Sequence, residues 1–331
     1  MPPIAILCWM TQATSVSAVS GNSDPLVQSR KRTGTAWWPV RLYAGWLVLL
    51  FIGCAGPKQR IDRLPLPQVA SQESRTRALE SCRQVPRGAE PLLQSGAVTL
   101  LGEVHGTAEI PAFVARLARA AAEKGLHVAV GLEAPSELTE NFLRYLQSAG
   151  DPQAQRELMQ GEFWHFDDGR ASEGMVALLD ILRTLSQSGK RVSLFLIDSN
   201  SESAEPRDRQ MATRIAAQVR AWPSAVTLVL LGNLHARTNS AEWAGWHLKG
   251  AVPGLRTLDA SYASGSSWCC TNLGCGVRRI SGTDLGLEPF VELFRSTSPN
   301  GYSGRLYVGQ IHASPPAAKR GDAPLSGRGA R

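Results

Sequence analysis

The chain has 331 residues, 43% of them hydrophobic and 19% charged, enough to bury a core, which excludes a disordered chain or a small disulfide-held peptide. Its 31 Gly and 20 Pro are near average usage and exclude collagen-like and low-complexity readings. The formal net charge of +7 sits mostly at the ends, +3 before residue 54 and +3 after Pro315; the body between is nearly neutral, and no nucleic-acid partner is implied.

In chain order, residues 30–53 read first as an export signal. Arg30-Lys31-Arg32 supplies the positive start, and Tyr43 to Gly53 is an apolar run of about ten residues. A spanning helix needs roughly 20 apolar residues, so the run is too short to anchor the chain by itself. It closes on Leu50-Phe51-Ile52-Gly53-Cys54, which resembles the lipobox of bacterial lipoproteins, with Phe51 where Leu is usual. That resemblance implies that Cys54 becomes a lipidated first residue, and that the protein is exported to the cell envelope and held at a lipid bilayer. Residues 1–29 are too polar for the signal and point to a start assigned too far upstream. Residues 54–90 are rich in Pro and polar residues and read as a tether, 91–314 as the folded domain, and 315–331 as a disordered tail.

Export agrees with the cysteines. Cys82, Cys269, Cys270 and Cys275 are an even set, and the CCTNLGC cluster lacks the paired C-x₂-C spacing of a zinc site. At least one disulfide within the set is expected, with the pairing left open.

The domain itself alternates. Val98 to Leu101 is a short apolar run followed by Gly-Glu-Val-His-Gly-Thr, and a helical stretch runs from about Ile110 to Lys124 and stops at Gly125. His127 to Leu132 is a second strand, followed by Glu133. After the aromatic patch Phe163-Trp164-His165-Phe166, helical spacing recurs from Ser172 to Ser188; Arg191 to Ile197 is a third strand, ending in Asp198. Residues 207–221 are helical, and Ala225 to Leu231 is a fourth strand, ending in Gly232-Asn233-Leu234-His235.

Strands that are apolar throughout and alternate with helices predict an α/β fold with a mainly parallel central sheet flanked by helices. Ligands of such sheets bind beyond the carboxyl ends of the strands. Here those ends carry Glu103 and His105, then Glu133, then Asp198, then Asn233 and His235. One polar residue at a strand end is ordinary; two His and two Glu at successive ends predict a converging site. His127, His247 and His312 are expected to be structural or exposed.

These motifs resemble a known superfamily. Gly102-Glu103-Val104-His105-Gly106-Thr107 with Glu109, the Gly131-Leu132-Glu133-Ala134-Pro135 segment, and Gly232-Asn233-Leu234-His235 together look like the superfamily of erythromycin esterases, ChaN-type haem-binding lipoproteins and TraB/Tiki metal-dependent proteases. The likeness spans roughly Ala97 to Ser314, and Arg207-Asp208 with Met211-Ala212 is similar to a helical motif of the esterase branch. It implies a His/Glu-dependent hydrolase of esterase or peptidase type, in which Glu103, His105, Glu133 and His235 are catalytic and could equally ligate a divalent metal. The alternative it implies is a non-covalent haem binder of the ChaN type serving haem or iron uptake, with Trp164, His165, Arg170 and Asn233 as cofactor-binding residues. The expected partners are a small-molecule or peptide substrate, or haem. A degenerate, surface-tethered domain is the third reading. Nucleophile-elbow, Walker and dinucleotide fingerprints are missing from the sequence.

Overall fold

The structure, a computed structural model, describes residues 85–318 apart from 200–202, 204 and 273. The export signal, Cys54, most of the tether and the tail beyond 318 lie outside the described residues. Among the described residues, no helix is long and apolar enough to cross a membrane.

Among the described residues nine strands form: β1 (Val98–Glu103), β2 (Val128–Pro135), β3 (Val192–Asp198), β4 (Val226–Gly232), β5 (Arg256–Ser261), β6 (Ser264–Thr271), β7 (Gly274–Ser281), β8 (Phe290–Leu293) and β9 (Gly304–Tyr307). Seven of them make one sheet in the order β3-β2-β4-β1-β5-β9-β8. All its pairings are parallel except β8 with β9. Every residue of β1, β2 and β4 is buried, which is why these strands read as unbroken apolar runs. The fold class expected from the sequence is the one observed. The four anticipated strands are joined in the sheet by β5, β8 and β9; β5 (Arg-Thr-Leu-Asp-Ala-Ser) mixes polar and apolar positions and gives no apolar run to read.

Helices cover both faces. On one side α1 (Glu109–Glu123), α2 (Thr139–Gln147), α3 (Pro152–Leu158) and α4 (Glu173–Gln187) pack onto Leu101, Val128, Val130, Val226, Leu228 and neighbours. On the other, α5 (Arg207–Ala221) and α6 (Ala244–Lys249) cover Val98, Leu100, Phe195, Val229 and Leu231. The helices begin and end where the sequence says they should: Ser172 caps α4 by accepting from the Met175 N–H, and Gly125 and Gly189 follow α1 and α4 with positive φ.

The strands β6 and β7 form a separate antiparallel hairpin outside the main sheet. In its register Cys270 faces Cys275, and these two form a disulfide, while Cys269 is free and buried. The expected bridge is therefore the local one across the hairpin.

Candidate functional site

Because β1, β2, β3 and β4 run parallel, their carboxyl ends share one rim, and the side chains there meet. The Nδ1 of His105 lies 2.8 Å from Oε1 of Glu103, which is 4% exposed, and its Nε2 lies 3.6 Å from Oε2 of Glu133, which is 2% exposed. His235 approaches the same carboxylate from the other side, its Nε2 3.8 Å from Oε1 of Glu133. The backbone of Gly232 is the floor between them. A Cβ added there would stand 3.0 Å from His105 Nε2, 3.3 Å from His235 Cδ2 and 3.4 Å from Glu133 Oε2. Position 232 carries no side chain, and three functional groups close over it.

Two arginines complete the cluster. Arg207, in the first turn of α5, donates from Nη2 to Glu133 Oε1 at 2.7 Å and to Asp198 Oδ2 at 2.6 Å, and from Nε to Asp198 Oδ1 at 2.8 Å. Its Nη1 lies 3.0 Å from His235 Nε2. Arg170 donates to Asp198 Oδ2 at 3.0 Å, and its Nε donates to Asp168 Oδ2 at 2.8 Å. The second oxygen of Glu133 accepts the Gly232 N–H at 2.6 Å. His235 Nδ1 lies 2.7 Å from Asp208 Oδ1, which also accepts the Ala244 N–H. The His235 tautomer with hydrogen on Nδ1 satisfies both neighbours: Nδ1–H donates to Asp208, and Nε2 accepts from Arg207.

The electrostatics follow. Burial opposes the charge on Glu133, but His235, His105, Arg207 and Arg170 outweigh it and hold this carboxyl well below its ordinary value. Burial likewise lowers the basicity of His105, and the Glu133 and Glu103 carboxylates more than reverse that, leaving its pKa above 6.5 with Arg170 opposing. Glu133 is thus a fixed anion whose two oxygens are both engaged, and its part is to orient others. His105 is held at Nδ1 by Glu103, and its Nε2 faces Glu133 at 3.6 Å.

Of the residues singled out from the sequence, Glu103, His105, Glu133, His235 and Arg170 come together. Asn233 is adjacent through its backbone: its N–H donates to the Glu103 carbonyl at 3.0 Å and its carbonyl accepts from the Tyr302 hydroxyl at 2.7 Å. Trp164 and His165 do not join them. Trp164 is fully buried, stacked on Phe142 with ring centroids 5.5 Å apart, and His165 is exposed. The aromatic side chain that reaches the rim beside His235 is instead Trp243, with ring centroids 6.4 Å apart. The aromatic wall asked of Trp164 in the haem reading is therefore not built from it. His312, which has no acidic neighbour in sequence, pairs with Glu109 at 2.7 Å on the surface.

Glu103, His105, Glu133 and His235 are the side chains that would hold a divalent metal, and in this arrangement their polar atoms pair with one another and with protein donors. A cation between the two imidazoles would sit against the Arg207 guanidinium, and the oxygens of Glu133 already accept from Arg207 and Gly232. Among the described residues no group of three or more His, Cys, Asp or Glu is arranged to hold a metal ion.

Asp198 joins the cluster from the rim where its strand end places it, and Arg207 and Asp208, marked in the sequence only by likeness to a helical motif, join it too. The signal was present: in a strand–helix unit of a parallel sheet the first turn of the helix starts at the carboxyl rim, and Arg207-Asp208 opens the helix that follows β3.

Fold and site together define an α/β protein with a carboxylate-oriented histidine at the carboxyl rim of its sheet. No protein-family model matches the chain, and no curated protein matches it. Among solved structures it is similar to a mutant of the erythromycin esterase EreC in its open conformation, at 12% identity and a TM-score of 0.48, over 68% of this chain and 93% of that one. A protein from Bacillus cereus is similar at 11% identity and a TM-score of 0.47, over 68% and 91%. ChaN of Campylobacter jejuni, in a structure with cofacial haem binding, is similar at 12% identity and a TM-score of 0.36, over 57% and 86%. TM-scores below 0.5 leave the functional argument to the site's own geometry.

Proposed function

We propose that this chain is a His/Glu-dependent hydrolase of the esterase or peptidase type, belonging to the superfamily its rim motifs resemble, and held at a bilayer through lipidated Cys54. The observation that carries the catalytic part is the Glu103–His105 pair facing Glu133, His235 and Arg207 over Gly232. His105 Nε2 takes the proton of an attacking water while Glu103 steadies the imidazolium that forms. The guanidinium of Arg207 is the charge available to a developing oxyanion, and Asp198 and Glu133 fix its plane. Because the carboxylates raise the His105 pKa, the rate should climb on an alkaline limb lying above 6.5.

The test is hydrolysis of p-nitrophenyl acetate and a peptide panel by purified protein, with His105→Ala, His235→Ala and the double variant. Each single variant should lose most of the activity and the double variant should be scarcely worse, because groups that act as a unit are not additive. Full activity in both singles would refute the reading. A Soret band with stoichiometric haem in the purified protein would replace it with the binding alternative.

A further inference from the structure

Three backbones meet beside the site. Gly106 directly follows His105, Gly169 directly precedes Arg170, and both have positive φ, 72° and 88°. A Cβ on Gly106 would overlap the Trp268 carbonyl of β6; one on Gly169 would stand 2.8 Å from that carbonyl and 2.9 Å from the Gly106 nitrogen. The contacts are also bonded ones. The Trp268 N–H donates to the Gly106 carbonyl at 2.8 Å, and the Trp268 indole N–H donates to the Asp167 carbonyl at 2.9 Å. One residue is therefore stitched to the loop that carries His105 and to the loop that carries Asp168 and Arg170. Trp268 sits on a hairpin with no strand partner in the main sheet, two residues before the Cys270–Cys275 bridge that closes it. The hydrolytic reading gives this hairpin no role.

We infer that Trp268 is a positioning residue, whose backbone and indole N–H groups hold the His105 loop in register with the Arg170 loop. Neither loop is held at this point by the sheet. Both leave it at the rim, and the Gly106 carbonyl beside His105 is fixed from outside by two donors, the Trp268 N–H and the Ser314 N–H, each at 2.8 Å, of which Trp268 alone also reaches the Arg170 loop. The catalytic consequence rests on the reading of His105 as the proton-transfer group; the geometric one does not.

The test separates the two. Trp268→Phe keeps the ring and the backbone N–H and removes only the bond to Asp167; Trp268→Ala removes the side chain altogether. Histidine titrations are followed by NMR on the full chain, with the His105 resonance identified by its loss in His105→Gln. In the wild type His105 should titrate above 6.5, because Glu103 and Glu133 face it and Arg170 only partly opposes them. In Trp268→Phe the bond to Gly106 stays and the loop bearing Arg170 is released, so the guanidinium that opposes the His105 charge is held less closely and the midpoint should move further up, while His127, at the amino end of β2, should not move. With p-nitrophenyl acetate, kcat should fall on the order of tenfold and KM should hold, as expected for sub-ångström misplacement of a reacting group. A shifted His105 titration in a protein that hydrolyses nothing sinks the hydrolase reading and leaves the positioning role standing. An unchanged His105 titration in Trp268→Phe, or a lowered Tm with His105 and His127 moving together, overturns the positioning role.

Discussion

Replacing Arg207 with Met tests whether the rim is an integrated ionic cluster or a set of solvated neighbours. Arg207 makes three charge-assisted hydrogen bonds of 2.6–2.8 Å to Glu133 and Asp198, which are 2% and 3% exposed. Met keeps the stem and removes the charge, leaving two buried carboxylates short of a partner. Breaking a buried pair from one side costs about 3–5 kcal/mol. Arg170 still reaches Asp198 at 3.0 Å and Glu133 at 3.7 Å, and the Arg207 side chain is 28% exposed and partly screened, so the lower end applies, about 3 kcal/mol. For a domain of this size that is a fall in Tm of about 6–12 °C at pH 7. The pH dependence gives the sharper signature. The folded pKa of Glu133 is depressed, so its contribution is present in full above the unfolded value of 4.5 and lost as pH falls through the lower folded value. Without Arg207 that pKa rises, and the variant regains a neutral, tolerated carboxyl at higher pH than the wild type does. The deficit should therefore be widest at pH 7 and narrow once acidification reaches the variant's folded value, which lies above the wild type's. Urea unfolding along a pH series measures it, and a deficit below about 1 kcal/mol at pH 7, or one that widens on acidification, would refute the cluster.

Gly232→Ala should lower p-nitrophenyl acetate turnover on the order of tenfold with little change in Tm, because the new methyl displaces His105 and His235 by a few tenths of an ångström without opening the core. Equal turnover would mean that the three groups do not act over Gly232. Alkylation of denatured, unreduced protein should label Cys269 and leave Cys270 and Cys275 unlabelled in the peptide mass spectrum. Replacing both bridged cysteines with Ser should cost about 2 kcal/mol by urea unfolding, the chain-entropy value for so short a loop. Cys54→Ala should move the protein out of the membrane fraction or block its processing, and unchanged membrane association would end the lipoprotein proposal.

The sheet and half of the site were legible for one reason. In a parallel α/β sheet the buried strands are apolar along their whole length, so the first polar residue after each, Glu103, Glu133, Asp198 and Gly232-Asn233, marks the rim without any knowledge of the fold's topology. Contacts made by the ends of other elements are marked only through connectivity, as the helix start after β3 is. Arg207 and Asp208 look like the solvated first turn of a helix, where an acidic residue is unremarkable. Trp268 lies between Ser267 and two cysteines, and its indole reaches Asp167 only because a hairpin outside the sheet folds back over the rim. Trp164 misled for the converse reason: its neighbours Phe163 and Phe166 fit a pocket lining as well as a core, and burial against Phe142 is a tertiary fact. The guanidinium that Arg207 brings among the two His and two Glu comes from a distant helix, and no spacing of those four residues announces it.

The strand order carries a consequence for how the molecule is made. β4 lies between β1 and β2, pairing Val98 with Thr227 on one side and Val128 with Val226 on the other. During synthesis β1, β2 and β3 leave the ribosome first. β2 and β3 can pair at once, but both edges of the central slot must stay open until β4 arrives. Two apolar strands with unpaired edges are then exposed together, the situation in which chains associate wrongly, and such non-local pairing is slow. Because β4 ends in the segment bearing His235, the meeting of His105, Glu133 and His235 is a late event. A probe of that cluster reports completed folding, where far-ultraviolet circular dichroism reports only that helices and strands have formed.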